Sequence, residues 1–521
     1  MGDIQIFIAA LLVSVALLNA IANWCSIPYP IVLVIGGLAL GLVPGIPEVE
    51  LEPDLVLLIF LPPLLYSGAF FADLPALRRD LRVISLLSIG LVLATTVAVG
   101  CLAHAVFDLP WAMSFALGAI VAPTDPVAAT SIMRRLGAPR RMVDVLEGES
   151  LVNDATALVA YKVAVAAAIG GSFSLLDASL EFVVVAAGGL ALGLVVGYLV
   201  AEIRRRIEDP TTEVTISLFT GYAAFLAADE IGVSGVLAAV TAGIYLGWRA
   251  PELISAETRL RSFAVWEILI FLLNATLFIL IGLQLPVIVD GIDSTGISTS
   301  TALGYGAFAC ATVVAVRFAW IFGSTVVIRT LDRRAAQRER RAGAGFRIVG
   351  SWAGARALPL ETDAGAALPG RDLILFVTFV VILFTLVGQG LTLPLLIRRL
   401  GLHESPDVEE HEEALARYRA VAAALERLDE LAPEEWTNED TIGRVRAQFE
   451  FRRRRVKIKV GKVEDEDGIE DRSRAYQRLM HELFTAQRGA LVGLRDSGEI
   501  SGEVMRRVER ELDLEESRLE V

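Results

Sequence analysis

Apolar residues in this 521-residue chain fall into long blocks separated by short polar stretches. The blocks run over residues 4–22, 27–43, 53–71, 82–106, 110–136, 141–169, 180–202, 212–229, 232–248, 262–285, 301–328, 346–360 and 371–397. A helix needs roughly 20 residues to cross the hydrocarbon core, so the pattern predicts about thirteen spanning helices and an all-α polytopic fold. The runs are continuously apolar, which excludes a membrane barrel, the other structure that satisfies every backbone group in lipid. The first block lacks a basic flank and is read as a span, not a cleaved leader. After Gly401 the pattern changes. Glu409 to Leu431 reads as a charged amphipathic helix, Arg452 to Arg455 with Lys457, Lys459 and Lys462 as a basic run, and Tyr476 to Glu520 as two further amphipathic helices. The expected organisation is a membrane domain over 1–400 and a small helical cytoplasmic domain over 401–521, for which a regulatory role is the sharper reading and the basic run a candidate for lipid headgroups.

Loop charges orient the spans. Alternate loops hold Arg78, Arg79 and Arg82; Arg134, Arg135, Arg140 and Arg141; Arg204 to Arg206; Arg249, Arg259 and Arg261; and an arginine-rich stretch from Arg329 to Arg347. The intervening loops carry Glu48, Glu50, Glu52, Asp54, Asp108, Asp177 and Asp290, with Arg371 as the exception. The positive-inside rule then puts the N-terminus outside and the C-terminus in the cytoplasm, which requires an odd number of spans.

Composition removes several classes. Apolar residues make up 54% of the chain and the formal net charge is -14, so a basic nucleic-acid binder is excluded. Cys25, Cys101 and Cys310 lie far apart inside apolar blocks and supply neither a disulfide framework nor a metal spacing. His104 is the single histidine before residue 400, too little for a metal cluster, and no cofactor is called for. No Ser/His pair or HExxH stands in the spans, against an intramembrane enzyme. A channel would show a pore-lining repeat or selectivity loop.

An ionisable side chain at bilayer depth costs several kcal/mol and asks for a partner or a task. In the fifth block Pro123 and Pro126 bracket Thr124 and Asp125. Proline removes a donor and clashes with the preceding turn, so the helix is expected to break there, exposing carbonyls at the midplane as transporters do at ion sites. Asp125 also suits the cap of the second half-helix. In the sixth block, Glu147, Ser150 and Asp154 share one face, and Glu149 and Asn153 the next. Asp154 lies about 20 Å along the axis from the arginines, near the bilayer centre. A buried carboxylate has its pKa raised by desolvation and lowered by a bound cation, so Asp154 holds either a proton or a metal ion. Glu149 reads instead as half of a helix-to-helix strut. Lys162 lies two turns beyond Asp154, where it snorkels to the outer interface. The twelfth block is about 22 Å long if helical; its Arg356 is the natural partner for Glu149. Arg317, in the preceding block, also needs a partner that the sequence does not name.

Together FLPPLLYSGAFF in the third block, PTDPVA in the fifth, GESLVNDATALV in the sixth and NATLFILIGLQLP in the tenth resemble the monovalent cation–proton antiporter family that includes the sodium/proton exchangers, as a bacterial inner-membrane member. The resemblance covers residues 1 to about 400 and is carried by the TDP and ESLxND motifs in combination. It implies two inverted repeats with crossed, interrupted helices five and twelve, a transport subdomain, a dimerisation subdomain and a homodimer. It implies that Asp154 carries Na+, K+ or Li+ in competition with H+, helped by Ser150 and the Thr124 backbone. Glu149 would pair with the helix-twelve arginine, and Asn153 would be the polar half of an Asn-Asp pair that marks electroneutral exchange.

Two features depart from the family. Ser67 stands where many bacterial members have a glutamate. WAGAR, ending in Arg356, matches a W-x-G-x-R-G motif except that Ala357 replaces its glycine, and two to three turns of apolar helix that should follow are missing. A second alignment places Arg356 after the gap and leaves Glu149 without that partner. An antiporter-like chain with impaired transport, or an ion channel, stands as the alternative to an electroneutral antiporter.

Overall fold

The computed structural model describes residues 2–25, 27–43, 53–123, 127–170, 175–331, 370–402, 406–434, 436–459, 469–497 and 499–517. All regular structure among these residues is helical. It divides into two compact units, Met1–Glu404 and Ser405–Val521. The twelfth block, with Arg356 and the shortened motif, lies outside the described residues, as do Thr124 and Asp125.

In the first unit α1 (Gly2–Cys25), α2 (Tyr29–Gly41) and α3 (Pro53–Phe70) precede a short α4 (Leu74–Arg79). α5 (Leu81–Phe107) is continuous but carries a π-helical turn over Leu86–Leu91. The wide turn has a visible cause, because the Leu86 carbonyl accepts the indole N–H of Trp320 at 3.1 Å. The same ring lies against Gly90, where a Cβ would meet it at 2.4 Å. Sequence periodicity cannot show this side-chain insertion.

In the fifth block α6 (Trp111–Val121) ends before Ala122 and Pro123, which lie outside the helix as expected, and α7 (Val127–Arg135) follows the undescribed residues 124–126. Then follow α8 (Arg140–Gly170), α9 (Leu175–Arg204), α10 (Pro210–Glu230), α11 (Gly235–Leu253) and α12 (Ala256–Leu283). A short α13 (Leu285–Ser294) extends the tenth block. α14 (Thr299–Leu331) and α15 (Arg371–Leu400) complete the described helices of this unit. Leu81–Phe107, Arg140–Ile169, Val183–Arg204, Ala256–Ile292, Thr299–Gly323 and Arg371–Leu400 are long and apolar enough to cross a membrane. Ala9–Cys25, Tyr29–Gly41, Val56–Phe70 and Trp111–Val121 are shorter apolar helices.

The closest pairings fall into two sets. One joins α2 to α12, α3 to α11 and α10, and α9 to α11; the other joins α5 to α6 and α14, α6 to α8, and α15 to α14 and α7. Glycine allows the tightest approaches. A Cβ on Gly118 of α6 would lie 2.3 Å from the Thr96 carbonyl oxygen of α5, and one on Gly37 of α2 would lie 2.3 Å from the Ile279 carbonyl of α12. Where the sets meet beside α8, the contact is aliphatic: Leu65 and Ala69 of α3 and Val236 and Val240 of α11 pack on Leu151 and Ala155.

The second unit contains α16 (Pro406–Leu431), α17 (Glu439–Lys459), α18 (Ile469–Asp496) and α19 (Gly502–Ser517), paired as α16 with α17 and α18 with α19.

Candidate functional site

α8 carries the polar residues singled out from the sequence, and its register sorts them by environment. Glu149, Ser150 and Asn153 are buried, with Glu149 2% and Asn153 1% exposed, and Asp154 is half-buried. Glu149 is held from α14, where Arg317 Nη2 donates to Glu149 Oε1 at 2.6 Å, both side chains being almost fully enclosed. The expected partner, Arg356, lies outside the described residues. The buried arginine that meets Glu149 among the described residues is Arg317, whose partner the sequence left unnamed. The physical reason is reach: α14 presents a long guanidinium side chain at the level of Glu149, and neither charge has access to water. Asp154 lies five residues further on, about 7.5 Å along the axis. The neighbouring Leu151 and Ala155 line the aliphatic contact with α3 and α11.

The remaining candidates are placed as follows. Ser67 is 2% exposed and donates to the Leu64 carbonyl of its own helix at 3.1 Å. Glu147 does not join the buried group: its side chain is 37% exposed and pairs with Arg134 of α7 at 2.7 Å. It sits only two turns into α8, so water competes for it more strongly than the helical face suggests. Lys162, near the far end of α8, is exposed and lies 3.4 Å from Asp229 of α10, a contact in which a snorkelling ammonium finds a carboxylate at the interface.

A family model described as "Sodium/hydrogen exchanger, transmembrane" matches residues 8–399. The chain belongs to the sodium/hydrogen exchanger family. Among relatives, a Mycobacterium tuberculosis protein named as an uncharacterised Na+/H+ exchanger is 36% identical over 99% of this chain and 96% of its own length. The Bacillus subtilis sodium, potassium, lithium and rubidium/H+ antiporter is 34% identical, covering 76% of this chain and 61% of that protein. The Na+/H+ antiporter ApNhaP of Aphanothece halophytica is 31% identical over 83% of this chain and 81% of that protein. In fold, the chain is similar to the sodium proton antiporter MjNhaP1 of Methanocaldococcus jannaschii, with a TM-score of 0.59 at 20% identity over 77% of this chain and all of that one. This exchanger-family chain is therefore a multi-pass membrane protein of a transporter family, not of an enzyme family.

Two polar groups of the exchanger fold were missed from the sequence. Asp80, between α4 and α5, is 3% exposed and accepts from Arg141 Nε at 3.1 Å and Arg79 Nε at 3.0 Å, tying the start of α5 to the foot of α8. Burial pushes its carboxyl upward, but the hydrogen bonds from Arg141 and Arg79 outweigh that and hold it below the usual carboxylate range. Arg79 and Arg141 had read as loop charges setting topology. The second group lies where α9 and α10 meet. Arg204 is 1% exposed there, beside Tyr66, Glu213 at the start of α10 is 3% exposed, and the Trp266 indole donates to Ser217 Oγ at 3.0 Å. Arg204 too had been counted only as an inside-loop cation; its apolar neighbour Ala201, one turn earlier, was the available signal that this helix end is enclosed.

Proposed function

We propose that this protein exchanges Na+, or K+ or Li+, for H+ across the bacterial inner membrane, electroneutrally and as a homodimer, by competition of cation and proton for Asp154. The observation that carries this reading is the division of charge along α8. Glu149 is compensated by Arg317 inside the protein, so its charge is spent on structure. Asp154 stands half-buried one turn away, beside Ser150 and Asn153.

Desolvation favours the protonated acid, and a cation favours the carboxylate. A group so poised holds one ligand at a time. One proton exchanged for one monovalent cation moves no net charge. Ser150, and the Thr124 backbone at the break between α6 and α7, complete the expected cation shell, with Asp125 capping the second half-helix. The contact of α8 with α3 and α11 is aliphatic at Leu151 and Ala155, and the Lys162–Asp229 pair further along α8 is exposed, which suits the movement of one helix set against the other that alternating access needs. In this orientation the N-terminus lies outside and the second unit in the cytoplasm.

The test is cation-driven proton flux in proteoliposomes, with sodium, potassium and lithium measured separately. Asp154→Asn is expected to abolish exchange without lowering thermal stability. Exchange retained in that variant removes Asp154 from the mechanism, and flux that responds to membrane potential removes electroneutrality.

A further inference from the structure

Nothing in the exchange reaction uses the second unit, yet one of its helices is sharply polarised. Residues 451–459 of α17 carry Arg452, Arg453, Arg454, Arg455, Lys457 and Lys459 and no acid, whereas Glu439, Asp440 and Glu450 lie in its first part. The unit as a whole is acidic, with 21 Lys and Arg against 29 Asp and Glu over residues 405–521. A cationic patch on an acidic body gives it one face that an anionic surface attracts and others that it repels.

Two contacts fix how α17 lies on α16. Arg446 Nη2 pairs with Asp429 at 2.5 Å, and the Lys457 ammonium stands 5.7 Å from the centre of the Tyr418 ring. As α17 advances from 446 to 457, its partners on α16 step back from 429 to 418, so the hairpin is antiparallel. The basic end of α17 thus returns toward the half of α16 that begins at Pro406, a few residues after α15 ends at Leu400. Arg444, Phe451, Arg452 and Arg454 are exposed, Phe451 at 46%, and the Arg452 guanidinium stands 5.5 Å from the centre of the Phe449 ring. Exposed arginines on a helix that also exposes an aromatic ring suit a headgroup layer, where the cations meet phosphates and the ring enters the acyl boundary.

We propose that the basic half of α17 docks on the anionic lipid headgroups of the cytoplasmic leaflet, holding the second unit against the membrane. The proposal rests on the orientation given above, with the end of α15 inside, but not on Asp154 or on exchange. Its test is hydrogen–deuterium exchange of the full-length protein in nanodiscs of phosphatidylcholine alone and of phosphatidylcholine mixed with phosphatidylglycerol. Amides of 451–459 are expected to exchange roughly tenfold more slowly in the anionic discs, and high salt should remove the difference. Arg452→Gln, Arg453→Gln, Arg454→Gln and Arg455→Gln combined should abolish it, while the four corresponding Lys substitutions keep it. Equal exchange in both lipids overturns the proposal, as does lipid-dependent protection that survives in the glutamine variant. Protection produced in neutral discs by inorganic phosphate would replace the lipid with a free anion and overturn it too. Loss of cation–proton exchange is not a readout of this test, so failure of the antiporter reading and failure of the docking surface are separately visible.

Discussion

Removing Arg317 would expose how much the membrane unit depends on one buried pair. Arg317 and Glu149 are 168 residues apart in sequence, their side chains are 4% and 2% exposed, and the hydrogen bond between them is 2.6 Å. Arg317→Met keeps much of the volume and the apolar stem but leaves an ionised or forcibly protonated glutamate in an enclosed site. Breaking a buried pair from one side costs about 3–5 kcal/mol, because the surviving charge keeps its desolvation penalty. With an unfolding entropy of about 2.1 cal/mol/K per residue over roughly 400 residues, that corresponds to a Tm lowered by about 4–6 °C. Glu149→Gln removes the carboxylate that Arg317 meets and is expected to act on the same scale. The double variant Glu149→Gln/Arg317→Met removes both charges and should recover part of the loss, so the two single effects will not add. The assay is thermal unfolding of the four proteins in one detergent, read by intrinsic fluorescence. Single variants that melt within about 1 °C of the parent, or strictly additive losses, would refute the reasoning.

Three further outcomes are expected. Asp80→Asn should lower stability at neutral pH. Because the folded carboxyl is held below the usual range, its contribution is complete above pH of about 4 and lost as pH falls through the folded value; Tm profiles of parent and variant should therefore converge in acid, and a constant gap would exclude Asp80 as the cause. Gly118→Ala would put a Cβ 2.3 Å from the Thr96 carbonyl and should cost about 1–3 kcal/mol. Gly304→Ala, where a Cβ meets nothing within 4 Å, is the matched control, and equal melting of the two would rule out close packing at Gly118. Lys162→Gln removes an exposed ion pair and should change stability by less than about 1 kcal/mol, seen as an almost unmoved Tm; a larger loss would mean that the contact with Asp229 does more than join two exposed ends.

Much of the architecture was legible because lipid leaves few solutions. Continuous apolar blocks require helices, and Pro123 and Pro126 require a break; α6 ends at Val121, before both. The identities of the polar residues on α8 were legible for the same reason, since each is too costly in hydrocarbon to be incidental. Their partners were not. The sequence contains two arginines that could answer Glu149, and no periodicity on α8 shows which neighbouring helix supplies the reaching side chain. Glu147 shows the opposite limit: its spacing from Asp154 is right for a shared face, but height along the helix, not angle around it, decides whether water and Arg134 reach it. Arg79, Arg141 and Arg204 obey a loop-charge rule that holds for a loop as a whole. That rule cannot say that the first two hold the buried Asp80, or that the third is itself buried, because burial at a helix end depends on which helices pack beside it.

The positions of the fixed charges also bear on how a single carboxylate could work in this fold. A working acid must change its charge in every cycle, and each neighbouring charge that moved with it would alter its affinity for proton and cation together. Glu149 with Arg317 and Asp80 with Arg141 are each tied within the set of helices that contains α8. On the proposed mechanism their charges would therefore travel with Asp154 as that set moved against α3 and α11. The close backbone approach of Gly118 to Thr96 ties α6, and with it one edge of the proline break, to α5 in the same set. On the proposed reading, a cation shell built from Asp154, Ser150 and the broken helix would be carried as one body, and the aliphatic contact with Leu65, Ala69, Val236 and Val240 would slip together with the apolar packing of α2 and α12 on α6 and α15. On the proposed mechanism the buried ion pairs would add rigidity around Asp154 to the stability that breaking them would reveal.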